Sequence, residues 1–147
     1  MPTTIGSTGK SGSPVIKISI AGVFGTGVEF EATVDTGFSG FVQMPIMSAL
    51  PLGLTLYGTA SVQFGDGNSS PRFTALGTAR ICGETDPQVG VVILEPSTTE
   101  VLVGMAFITS FKKAVFFYRG FLALIDEVDM DQTLRRNFEE AGLLKPQ

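Results

Sequence analysis

Short runs that alternate apolar with polar side chains, each cut off by a glycine-bearing turn, restrict this chain to a mainly β fold. Residues 15–20 set Val15, Lys17 and Ser19 against Ile16, Ile18 and Ile20, which predicts a strand with one buried face. Residues 22–27 supply a glycine-rich turn and residues 28–34 alternate again. Together they predict a hairpin whose second strand delivers Asp35 to a tight turn. Residues 41–44 predict a further short strand stopped by Pro45, and residues 46–50 one helical turn before Pro51 and Gly53. Residues 59–64 and 73–82 predict a long hairpin across Gly65-Asp66-Gly67-Asn68, because Asp-Gly followed by Asn is a strong hairpin signal. Residues 83–87 form the next turn. Residues 89–94 are almost continuously apolar, as in a strand covered on both faces.

Residues 100–104 make a second apolar approach to a glycine, echoing the approach to Asp35. Residues 105–111 then have helical spacing, with Phe107, Ile108 and Phe111 on one side. Lys112 and Lys113 follow, where cations suit a helix dipole. Residues 114–118 and 121–125 predict a last hairpin around Arg119-Gly120. In the tail, residues 131–145, Leu134, Phe138 and Ala141 stand at i, i+4 and i+7 with Gly142 as C-cap. That predicts a short amphipathic helix packed on the body or on a partner. The expected organisation is a flexible lead at 1–13, one domain at 14–126 and a helical extension at 127–147.

Composition narrows the chemistry. Hydrophobic residues are 44% and charged residues 16% of the chain, which suits a globular core and not a disordered chain. The net charge of -4 argues against a nucleic-acid partner, which wants a basic face. The chain has no histidine and one cysteine, so catalytic triads built on histidine and zinc sites built on His and Cys are excluded. Cys82 cannot form an internal disulfide and reads as a small buried hydrophobe. Residues 36–65 carry no charge, but prolines, glycines and hydroxyls interrupt them too often for a membrane span. They read as core plus the lining of a cleft. No membrane segment is expected, and the cytoplasm is the expected location.

Asp35-Thr36-Gly37 after an apolar strand resembles the active-site motif of retropepsin-like aspartic proteases. Three further features follow in that family's order: Phe64-Gly65-Asp66-Gly67 at the flap tip, residues 79–83 and 89–94 as the strands after the flap, and Val101-Leu102-Val103-Gly104 before a helix. The resemblance covers roughly residues 15–125, as judged by motif order and spacing. Residues 35–41 with Pro45 behind them look most like the prokaryotic single-domain branch. Viral members usually carry a small residue where Phe38 stands.

The resemblance implies a closed acid-protease barrel with one short buried helix, extended here by the C-terminal helix. It implies Asp35, Thr36 and Gly37 as the catalytic motif. Phe38, Ser39, Gly65, Asp66 and Gly67 would contact substrate, and Val103 and Gly104 would support the loop. Such an enzyme uses two carboxylates that share one proton, since like charges about 3 Å apart do not both ionise. A chain with one motif aspartate then requires a homodimer. The substrate would be an extended peptide or an unfolded protein, hydrolysed without metal or cofactor.

Competing readings of the same residues are weaker or wait on Asp35. Asp35-Thr36-Gly37 alone is also an ordinary turn sequence. Ser39 has no base to activate it and suits loop hydrogen bonding. Gly25-Thr26-Gly27 lacks the third glycine and the helix of a dinucleotide loop. The acids at 126–131 lack the glycine and distal glutamate of a calcium loop, and helix capping explains them. The remaining alternative is a retropepsin-fold dimer that binds peptides by strand addition and has little or no catalysis.

Overall fold

The computed structural model describes residues 4–8, 12–63, 65–84, 86–118, 121–129 and 132–145. The fold is mainly β. The strands are β1 (Thr4–Ile5), β2 (Ser7–Thr8), β3 (Pro14–Ala21), β4 (Val28–Val34), β5 (Val42–Pro45), β6 (Thr55–Gln63), β7 (Ser69–Ile81), β8 (Gln88–Glu95), β9 (Val101–Val103), β10 (Lys113–Tyr118) and β11 (Phe121–Asp126). The helices are α1 (Ile46–Ala49), which runs into a 3-10 turn at Leu50–Leu52, then α2 (Met105–Ser110) and α3 (Gln132–Glu140).

An eight-stranded sheet runs β2-β3-β4-β9-β5-β8-β7-β6, and an added β3–β7 pairing closes it into a ring. A second sheet has the order β1-β11-β10. The alternation in residues 15–20 carries Ile16, Ile18 and Ile20 into the core, where they meet Ala32, Val34, Val42, Met44, Val92 and Val103. Ring and second sheet share that core through Leu122 and Leu124, and α2 plugs it with Phe107 and Ile108, joined by Phe111 just past the helix end.

Three local readings are corrected. Residues 4–8 fall in the segment predicted as a flexible lead, yet they carry β1 and β2. β1 pairs with β11 and β2 with β3, and the Gly6 N–H donates to Leu122 O at 2.9 Å between them. Open strand edges capture a backbone whatever its composition. β7 begins at Ser69 and runs through Pro71, not from residue 73. There β7 has β6 on one side, while its pairing to β8 starts only at Thr74, so the missing N–H of Pro71 breaks no β8 bond. Lys113 is not a cation on the end of α2. Lys112 turns the chain with a φ of 53°, and Lys113 opens β10 as a buried residue.

Phe64, Arg119-Gly120 and Met130-Asp131 lie outside the described residues. Among the described residues no helix is long and apolar enough to cross a membrane.

Candidate active site

β4 ends and β5 begins on either side of the Asp35 turn, and β9 lies between these two strands. It is parallel to β4 (Val34 beside Val103) and antiparallel to β5 (Val42 beside Val103). The end of β9 therefore forms the floor of the turn. The Asp35 N–H donates to Val103 O at 3.0 Å, and the Gly104 N–H to Phe41 O at 3.2 Å. The Met105 N–H donates to Phe38 O at 2.8 Å, and the Ala106 N–H is shared between Ser39 O and Gly40 O at 3.3 and 3.2 Å. The first turn of α2 thus spends its otherwise orphaned N–H groups on the loop above it.

Gly104 is required by this closeness. A Cβ there would strike the carbonyl oxygens of Phe38 and Gly40 and the ring of Phe38. Its φ of -115° is open to any residue, so close approach and not backbone angle selects glycine.

The carboxylate itself is oriented locally. The Gly37 N–H donates to Asp35 Oδ1 at 2.9 Å, and the Phe38 N–H to Asp35 O at 3.1 Å. Asp35 is half-buried, while Thr36, Gly37 and Ser39 are exposed. The loop therefore presents an acid, a hydroxyl and an open glycine together on one surface. The Phe38 ring lies against Gly40 and Gly104 and is half-buried. Beneath, the Phe41 and Phe107 ring centroids are 5.3 Å apart, and Phe107 and Phe111 are 4.7 Å apart. This aromatic stack fastens the loop's end to α2.

Gly65, Asp66 and Gly67 sit apart from the Asp35 loop in sequence and element, at the exposed tip of the β6–β7 hairpin. The Asn68 N–H donates to Asp66 Oδ1 at 2.9 Å and its side-chain amide to Oδ2 at 3.1 Å. These bonds, the backbone one foremost, hold the Asp66 carboxyl below its ordinary range.

Two charged clusters lay beyond sequence reasoning. Arg72 Nε donates to Glu95 Oε2 at 2.9 Å, Arg72 Nη1 to Ser70 Oγ at 2.6 Å, and Ser97 Oγ to Glu95 Oε1 at 3.3 Å. Glu95 is buried, and this pair clamps the hairpin arm to the end of β8 just past the last β7–β8 register pair, Thr74 with Ile93. The available signal was one acid closing an otherwise apolar strand. The Lys113 ammonium, with its side chain 1% exposed, lies 2.5 Å from both Glu84 and Asp126. Burial pulls this ammonium down, but hydrogen bonds and attraction from Asp126 and Glu84 outweigh it and hold its pKa above the ordinary lysine value.

Cys82 is half-buried, not fully buried, with Sγ 3.7 Å from Glu29 Oε1. Burial first, then the Glu29 charge, pushes the thiol above its ordinary value. Among the described residues no group of three or more His, Cys, Asp or Glu side chains could hold a metal. No protein-family model matches the chain, and a search of curated proteins finds no match.

Proposed function

We propose that the chain is one half of a homodimeric, retropepsin-like aspartic endopeptidase, with Asp35 of each copy forming the catalytic pair. The observation that carries this reading is the seating of the Asp35 loop. A strand from the last third of the chain lies between the strands that enter and leave it, and Gly104 is packed against its carbonyls. An ordinary surface turn needs no such floor. The exposed Thr36 beside a half-buried Asp35 suits a loop completed by a second copy.

In this reading one carboxylate takes a proton from water as the water oxygen attacks the peptide carbonyl carbon. The protonated carboxyl of the other copy gives its proton to the carbonyl oxygen. The tetrahedral intermediate then collapses, and the amine leaves with a proton returned by the pair. The ring of strands corresponds to the acid-protease barrel, and the β6–β7 hairpin to the flap that closes over an extended peptide. Phe38 becomes a support of the loop. The uncharged stretch 36–65 favours apolar segments as substrates. A lone cysteine asks for no oxidising compartment, so the cytoplasm remains the proposed place of work.

The test is cleavage of casein between about pH 4 and 7, a window chosen to span titration of such a pair. Wild type, Asp35→Asn and wild type with a statine-type inhibitor run in parallel, with mass followed by sedimentation. The reading expects cleavage by a dimer, lost in Asp35→Asn and on inhibition. Equal cleavage by Asp35→Asn, or a folded dimer that cuts nothing, would overturn it.

A further inference from the structure

We propose that an extended segment of another polypeptide docks at the root of the β6–β7 hairpin. Its backbone joins the open edge of β6, and one large apolar side chain enters a pocket beside that edge. The site is separate from the Asp35 loop and acts whether or not that loop cleaves.

The pocket lies between α1, with its 3-10 turn, and one face of β6–β7–β8, and every side chain lining it is apolar. Ala49 and Ala75, both buried, form its floor, and the half-buried Leu54 and Leu94 form its walls. Leu50 and Leu56, 65% and 67% exposed, stand at its mouth. The volume is about 230 Å³. A dry apolar cavity of about 150 Å³ accepts a benzene ring, and pockets for whole small ligands begin at about 300 Å³. The size therefore suits a single side chain such as leucine or phenylalanine.

Among the described residues β6 is the last strand of its sheet, with β7 on one side only. Its nine residues include no charge and no proline to blunt the open edge. Its register against β7 shifts between Leu56 and Gly58, at the pocket mouth, and then runs unbroken to Gln63. Strand addition draws affinity from backbone hydrogen bonds along an edge and specificity from pockets for alternate side chains. Here the edge and the pocket meet at Leu56.

The rim sets the chemistry of the occupant. Gly53 also lines the pocket, and the Phe24 ring lies against it although Phe24 is 70% exposed. Apolar surface thus runs from Leu56 past Leu50 to Phe24. Residues 18–28 and 36–65, which supply all of this rim, carry no charge. A charged side chain entering here would lose its hydration with no partner to offset the loss. A lipid or a free apolar molecule would fill the pocket but leave the β6 edge unpaired. An uncharged extended peptide satisfies both.

β5 fixes the distance from the motif acid. It leads from the end of the Asp35 loop at Phe41 to Ile46, which lines the pocket, along about 15 Å of extended chain. The pocket therefore recognises a part of the partner remote from any bond cut at Asp35.

The experiment is fluorescence anisotropy on Asp35→Asn protein, so that no probe is consumed. The probe is a labelled, capped octapeptide of Ser, Thr and Gln with one central Phe. It is expected to bind, and its Phe→Ala version to bind about tenfold more weakly. Leu50→Asp and Leu56→Asp, at exposed positions of the mouth, are expected to lower binding of the Phe peptide to that of the Ala peptide, with circular dichroism to confirm folding. Methylating the backbone nitrogens of alternate peptide residues is expected to abolish binding in one phase of the alternation, the one whose N–H groups face β6. Benzoylphenylalanine in place of Phe is expected to crosslink to residues 46–56, 75 or 94. No binding, crosslinking to the Asp35 loop, or binding indifferent to both mouth variants or to both methylation phases would overturn the proposal. Mouth variants that bind no peptide differently but weaken self-association would assign the surface to a second copy and overturn it too. None of these readouts is cleavage, so each of these failures leaves the reading of Asp35 to its own test.

Discussion

The Asp35 N–H donates to the carbonyl oxygen of Val103 at 3.0 Å, so the position of the one motif carboxylate is set by a strand from the far end of the chain. One residue on, Gly104 has no room for a methyl group. Gly104→Ala is expected to lower stability by about 1–3 kcal/mol, the usual cost of overpacking, and to abolish any Asp35-dependent activity. A urea midpoint equal to wild type would show that the loop yields more easily than its contacts imply.

Phe107 is fully buried and stacks on both Phe41 and Phe111. Phe107→Ala is expected to cost about 3–5 kcal/mol, as transfer and cavity effects act together. Calorimetry measures this. A drop below about 1 kcal/mol would mean that the core refills the space.

Lys113→Met leaves Glu84 and Asp126 facing each other without their cation. Near neutral pH the expected loss is about 3 kcal/mol, at the lower end for a broken buried pair because both acids keep some exposure. The pH dependence has a definite sign. The folded-state pKa of Lys113 is raised, so its contribution is complete below the ordinary lysine value and fades as pH climbs through the higher folded value. The stability gap between wild type and Lys113→Met, from urea melts, should be constant between about pH 7 and 9 and narrow above about pH 10.5. A gap that widens with alkali would contradict the assignment.

Glu95→Gln keeps the shape of the clamp but removes the charge that Arg72 Nε meets at 2.9 Å. The hairpin beyond the clamp, residues 61–71, should then exchange amide hydrogens faster while β3 and β4 stay protected. Uniform exchange across both regions would mean that Glu95 supports the whole ring and not the hairpin arm.

What could be read in the chain beforehand follows the range of the forces involved. Ile16, Ile18 and Ile20 announce their strand because period-two burial is local, and Phe107, Ile108 and Phe111 announce α2 for the same reason. Gly37 and Gly104 stood out as glycines after apolar approaches. The contact between Gly104 and the carbonyl of Phe38 needs the fold, as does the lie of the Phe38 ring against Gly40. The β3–β7 closure and the capture of residues 4–8 are backbone pairings that no side-chain pattern records. Lys113 shows the limit most plainly: beside Lys112 it looks like a solvated helix end, and only Glu84 and Asp126, brought in by two other segments, make its burial tolerable.

The insertion of β9 between β4 and β5 also orders events in time. The strands that bracket Asp35 leave the ribosome well before residues 101–106, and until those arrive the slot between them is a pair of open strand edges. Asp35 has no floor in that interval. On refolding, the Asp35 amide should gain protection together with β9 and not with the β3–β4 hairpin, since contacts so distant in sequence close late. Whatever chemistry the carboxylate performs is therefore withheld from the growing chain, and the topology itself acts as the delay.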